Sequence, residues 1–284
     1  MKRLTSLLGA ALALLALSLT AVAQTVNSPS EMRLYALDCG RYETSDLGRL
    51  SDTFEHTGER GERVSPCWLI RHPKGDLIWD LGLGDKYAAS PEGVAFGSLL
   101  RFQVGTTLAS QLRSIGLAPT DIKYVSVSHL HLDHLGNAAA FSGATWLVSR
   151  RELIWANSVP TPPFIDPVLV ETVKEARKIM FDQDYDVFGD GTVQILKAPG
   201  HTPGSQVLLL KLAKAGPVLI SGDLYHSHEA FDKSFVPGTN DSRADTLASM
   251  DRVHRLLRNT AARLVIHHDP GDFRAMPQFP AYLD

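Results

Sequence analysis

Only two cysteines, Cys39 and Cys67, occur in 284 residues, which excludes a cysteine-rich zinc module or a disulfide-knotted scaffold. The pair allows one disulfide in an oxidising compartment or two separate thiols, since both sit in apolar, strand-like runs. A dominant charge sign is also missing: 28 Lys and Arg face 31 Asp and Glu, a formal net of −3. No basic cluster interrupts that balance. Nucleic acid is therefore not the expected partner, because phosphate backbones call for a concentrated cationic face. Beyond residue 23 no apolar run approaches the ~20 residues of a membrane span, so no stable membrane insertion is expected. No internal repeat or low-complexity tract appears there either. With 44% hydrophobic and 21% charged residues, the composition is that of a globular chain with room for a large core.

What is present begins with a targeting pattern. Met1-Lys2-Arg3 is a short positive start, residues 4–19 are apolar apart from Thr5, Ser6 and Ser18, and Ala21-Val22-Ala23 supplies a small-x-small cleavage site. The apolar stretch fits a signal peptide better than a membrane anchor. Residues 1–23 are read as that peptide, and residues 24–284 as one periplasmic or secreted domain. Loss of Lys2 and Arg3 leaves 26 basic residues against 31 acidic, a net of −5.

Along the rest of the chain, 32–38, 64–71 and 76–80 read as strands, the last two joined through His72-Pro73-Lys74-Gly75. The segment 82–105, with five glycines and Pro91, reads as a long loop. Helical spacing covers 107–115, 150–156, 168–180 and 244–258. Strands are expected at 122–128, 145–148, 192–198, 206–212, 217–221 and 263–266. Strands in two groups with helices between them point to an α/β layered fold.

The chemistry concentrates at Ser128-His-Leu-His-Leu-Asp-His134, three histidines and an aspartate within six positions. Imidazole and carboxylate suit zinc and similar divalent ions. In extended backbone His129 and His131 point to one side and can share an ion. Asp133 and His134 follow as the chain turns and can reach a second ion. His201, Asp223 and the pair His267-His268 each lie just past an expected strand, where loops from one sheet edge assemble sites. Seven ligands around two ions, one carboxylate bridging, is a hydrolase arrangement.

These motifs resemble the metallo-β-lactamase superfamily, whose H-x-H-x-D-H signature is followed by a separated His, Asp and His. The resemblance covers residues 32–284 and implies a four-layered αβ/βα sandwich with two divalent ions, Zn2+ first among them, at one edge of the sheets. Carried over, His129, His131 and His201 would bind the first ion. Asp133, His134 and His268 would bind the second, with Asp223 bridging. His268 is preferred to His267 because related lactonases place their last histidine directly before an aspartate, as in His268-Asp269. Gly222-Asp-Leu-Tyr-His226, Thr246-Leu-Ala-Ser-Met-Asp251 and His268-Asp-Pro-Gly-Asp-Phe273 look like the N-acyl homoserine lactonase group. In that group a tyrosine stands three residues after the bridging aspartate; here His226 occupies that place and Tyr225 precedes it.

The resemblance implies lactone-ring opening by a metal-bridging hydroxide, and so a role in quorum quenching. Asp133 would shuttle the proton, and Tyr225 or His226 would hydrogen-bond the substrate carbonyl. Phe96, Leu99, Leu100, Phe102, Val104, Phe164 and Ile165 are candidates for an apolar acyl-chain wall, or alternatively for core or subunit contacts. A small-molecule acyl lactone or ester is the expected partner of a monomer or homodimer. A secreted β-lactamase, a broad esterase or organophosphate hydrolase on the same site, and a non-catalytic periplasmic metal-binding protein stand as alternatives.

Overall fold

A computed structural model describes residues 29–284. The signal-peptide reading of residues 1–23 lies outside the described residues. Strands and helices are numbered in chain order. The first sheet has the order β1 (Arg33–Leu37), β4 (Cys67–Arg71), β5 (Leu77–Trp79), β8 (Tyr124–Ser126), β9 (Thr145–Ser149), β10 (Lys178–Phe181). The second runs β11 (Tyr185–Asp186), β12 (Val193–Lys197), β13 (Gln206–Leu212), β14 (Gly216–Ile220), β15 (Arg263–Val265). A third, smaller sheet has the order β3 (Gly61–Val64), β2 (Arg41–Thr44), β7 (Leu100–Gln103), β6 (Val94–Phe96). The helices are α1 (Leu108–Ser114), α2 (Leu132–Leu135), α3 (Arg150–Ala156), α4 (Pro167–Glu175), α5 (His228–Lys233), α6 (Arg243–Thr260) and α7 (Pro270–Ala275).

Alternation along the strands builds the layers, because successive side chains face opposite sides of a sheet. Leu34, Ala36, Trp68, Ile70, Leu77 and Trp79 face inward and meet Val193, Ile195, Leu208 and Leu210 of the second sheet in one buried cluster. The alternate positions Tyr35, Leu37, Leu69 and Ile78 face outward onto α1 and α4. On the far side Val207, Leu209 and Leu219 pack on Met250 and Val253 of α6. The sequence of layers is helix, sheet, sheet, helix, as expected. Burial on both faces explains why these strands read as continuous apolar runs.

Three segments differ from their expected form. The segment 82–105 is not a loop: β6 and β7 form a hairpin that pairs with β2, and Phe96 stacks on Phe102 at 4.7 Å. Gly97 (φ +61°) opens its turn and Gly93 (φ +73°) ends the turn that leads into it, so the glycines mark corners of structure. The helix expected over 168–180 stops at Glu175, and Lys178–Phe181 pairs in parallel with β9 as an edge strand. Lys178 Nζ donates to the carbonyls of Lys174 and Ala176, satisfying that helix end. The strand expected over 64–71 breaks at Ser65-Pro66, separating β3 from β4, where proline removes a ladder donor. Cys39 and Cys67 are disulfide-bonded across the ends of β1 and β4.

Candidate metal centre

Every expected ligand follows the C-terminal end of a strand. β8 feeds His129 and His131, β12 feeds His201, β14 feeds Asp223 and β15 feeds His268. β8 and β5 run in parallel, as do β14 and β15, so these ends collect at one edge, where crevices of open α/β sheets open. Two glycines allow the turns to close. Gly200 (φ +140°) precedes His201 and Gly222 (φ +50°) precedes Asp223. A Cβ at Gly200 would lie 2.2 Å from Thr246 Oγ1, and one at Gly222 would lie 2.6 Å from Ser128 Cβ.

The side chains form two groups. In the first, His131 Nδ1 lies 2.9 Å from His129 Nε2 and 3.1 Å from His201 Nε2. In the second, His134 Nε2 and His268 Nε2 are 3.1 Å apart. Asp223 stands between them with its oxygens divided. Oδ1 lies 3.0 Å from both His134 and His268, while Oδ2 faces His201 at 3.4 Å and His129 at 3.8 Å. Asp133 Oδ2 is 3.6 Å from His268 Nε2, on the cavity side.

Burial and the neighbouring imidazoles push His129 and His131 well below the ordinary histidine range, and burial takes His201 down to about 4. Three neutral rings therefore turn nitrogen lone pairs toward one point, the protonation state a metal requires. Tetrahedral zinc with Zn–N of ~2.0–2.1 Å spaces its nitrogens about 3.4 Å apart, close to what the rings show. The residues fit two divalent ions.

Outer contacts fix the tautomers. His268 Nδ1 donates to the Val64 carbonyl (2.6 Å), leaving Nε2 to face Asp223. Ser128 Oγ lies 3.1 Å from Nδ1 of both His129 and His134. Asp80, fully buried, accepts from the Ser128 N–H (2.6 Å) and lies 3.3 Å from His134 Nδ1. Its φ of +56° is a strained conformation that aspartate tolerates better than most residues. Burial alone would lower His134, but the carboxylates of Asp223, Asp80 and Asp133 hold it raised. His267 stands behind the site: Trp68 Nε1 donates to its Nδ1 at 3.1 Å.

One expectation fails. Tyr225 does not reach the site. It is fully buried beneath α6, its ring edge-on to Phe231 and its hydroxyl 3.4 Å from the Met250 carbonyl. The Gly222–Leu224 turn points adjacent side chains in different directions, so His226 and not Tyr225 faces the cavity, 3.4 Å from Asp223 Oδ2 and stacked on His268. The phenol that does line the cavity belongs to Tyr42 of β2, its ring edge-on to His268 at 5.7 Å. Burial first, then the charges of Asp133 and Asp223, raise its pKa, so it stays a neutral hydrogen-bond donor. In the sequence Tyr42 is an isolated strand residue among Arg41 and Glu43, and nothing there marks it.

Beside the ligands lies a cavity of ≈ 100 Å³. Leu100, Phe102 and Phe164 of the expected apolar wall line it, joined by Leu50 and Leu132, with Arg49 on its polar side. Phe96 backs Phe102, Val104 and Ile165 are buried in core clusters, and Leu99 faces a separate groove.

Comparison with known proteins agrees with this geometry. The chain is 33% identical over 269 residues to the N-acyl homoserine lactonase AttM of Azorhizobium caulinodans, a match spanning 90% of this chain and 100% of that protein. It is 32% identical to the AttM lactonase of Rhizobium radiobacter, across 89% of this chain and 100% of that one. A solved N-acyl homoserine lactone hydrolase with N-hexanoyl-L-homoserine at its catalytic metal centre superposes with a TM-score of 0.78 at 23% identity. That superposition covers 89% of this chain and 99% of the other, and shares the fold. The sequence profile of the metallo-beta-lactamase superfamily matches residues 60–268, from β3 through the last histidine of the site. With that profile spanning most of the chain and a relative 33% identical along its full length, the chain belongs to the metallo-beta-lactamase superfamily.

Proposed function

We propose that this protein hydrolyses the lactone ring of N-acyl homoserine lactones, using His129, His131 and His201 for one divalent ion, Asp133, His134 and His268 for the other, and Asp223 between them. The observation that carries this reading is the Asp223 carboxylate, which turns one oxygen to each imidazole group. The full-length match to lactonases supports the substrate class. Two bound zinc ions supply Lewis acidity and a water that ionises near neutral pH.

The chain's own residues do the rest. Leu100, Phe102 and Phe164 give the acyl chain an apolar wall. Tyr42 and His226, on the polar side of the cavity, are placed to hydrogen-bond the lactone carbonyl. Asp133, with a side chain 21% exposed toward the cavity, can take a proton and return it to the ring oxygen as the acyl–oxygen bond breaks. Water is added across that bond, giving an alcohol and a carboxylic acid, which releases one proton at neutral pH.

Periplasmic or secreted location belongs to the same reading. It is supported by the N-terminal pattern and by the Cys39–Cys67 disulfide, a bond that persists in oxidising compartments. The test is proton release by the metal-loaded protein with acyl homoserine lactones and with a cephalosporin in parallel. Acid from the lactones alone is expected. Cleavage of the cephalosporin with inert lactones overturns the substrate assignment in favour of a β-lactamase. His131→Ala and Asp223→Ala should lose metal and turnover together, and a metal-loaded, active His131→Ala protein contradicts the ligand set.

A further inference from the structure

Glu152 is a carboxylate without a role in the chemistry above. It lies on α3, 2% exposed, and among the described residues no cation pairs with it. Burying a carboxylate in this way is costly unless hydrogen bonds replace water. Three do. Glu152 Oε1 accepts from the Leu130 N–H at 2.9 Å; Oε2 accepts from Thr202 Oγ1 at 2.7 Å and the Gly204 N–H at 2.9 Å.

The identity of those donors gives the residue its meaning. Leu130 sits between His129 and His131, and Thr202 follows His201. One side chain thus fastens the turn carrying two imidazoles of the first group to the turn carrying the third. Residue 204 has to be glycine for this to happen: a Cβ there would lie 2.4 Å from the Glu152 backbone nitrogen and from Glu152 Cβ. Thr202 is held further by Ser205, whose Oγ accepts from the Thr202 N–H at 3.0 Å. All three donors lie beside imidazoles of the first group, and none of Glu152's bonds goes to His134 or His268 directly.

We infer that Glu152 is the positioning residue of the first metal site, setting the separation of the His129–His131 turn from the His201 turn and so the affinity of that site alone. The inference rests on the ligand assignment proposed above. A carboxylate does this where an amide would not, because all three approaching groups are donors and a glutamine must turn its NH2 toward at least one of them.

The experiment titrates metal-free protein with Zn2+ against a chromophoric chelator, for the wild-type residue and Glu152→Gln, in two backgrounds. His268→Ala leaves the first site to be read, and His201→Ala leaves the second. Glu152→Gln should weaken binding by about 10–100-fold at the first site and by less than about threefold at the second, the usual scale for a group that orients ligands. With Co2+, the ligand-field spectrum of the first site should shift while that of the second stays. Equal weakening at both sites, or none in a cooperatively folded variant, overturns the inference while the ligand assignment stands. A wild-type protein that takes up no ion overturns both. Should Glu152→Gln fail to fold, Thr202→Val removes one of the three donors and should weaken the first site in the same direction.

Discussion

At the residue scale, the side chains proposed as ligands stand apart from those that hold them in place. Tyr225 and Tyr42 make the contrast testable. Tyr225→Phe removes one long hydrogen bond under α6, so stability should fall by less than about 1 kcal/mol, and kcat/KM should stay within about twofold. Tyr42→Phe removes the hydroxyl of a residue that lines the cavity and should lower kcat/KM by about tenfold or more with zinc content unchanged. Glu152 carries a pH signature as well. Burial raises its pKa from the ordinary 4.5 to about 7, against the pull of its three donors. Since the folded value is raised, the contribution of the proton to stability is whole below pH 4.5 and is lost as pH rises to about 7. Metal-free wild type should therefore lose up to about 3 kcal/mol relative to Glu152→Gln across that window. Denaturant midpoints at several pH values read the difference.

At the scale of elements, the histidine motif was legible because its ligands cluster within one short run, where packing gives no reason for them. Asp80, Tyr42 and Glu152 were not legible. Each is one polar residue in an ordinary strand or helix, and each gains its role from a partner at least 22 positions away or from the cavity wall. An α/β layered fold followed from strand grouping and the four-layered sandwich from the family resemblance, whereas the third sheet was hidden because five glycines and Pro91 break its short strands into runs that read as loop. Those turns are as exacting as the ligands. Gly200→Ala puts a side chain at φ +140°, within 2.3 Å of the Thr246 backbone nitrogen. Destabilisation of about 2 kcal/mol or more is expected, with weaker zinc uptake by the His201 turn, measured by chemical unfolding and metal analysis.

On the scale of the whole molecule, two kinds of fastening hold the site's edge of the sandwich. Cys39–Cys67 closes a separation of 28 residues, so the double variant Cys39→Ser/Cys67→Ser should lose about 3–4 kcal/mol, read as a lower unfolding midpoint. The ions do the rest. His134 follows the first sheet and His268 the second, so chelation should lower the melting temperature and speed hydrogen exchange in the turns after β8 and β15 before the sheet interiors respond. Among the described residues no helix is long and apolar enough to cross a membrane.

The third sheet supplies Tyr42, Thr44, Leu100 and Phe102 to the cavity but not one of the seven assigned ligands. Metal binding and this part of the cavity wall are therefore written on different stretches of chain. A relative could acquire a taste for longer, shorter or differently decorated acyl groups by altering the β6–β7 hairpin alone, leaving Tyr42 and its zinc chemistry as it found them.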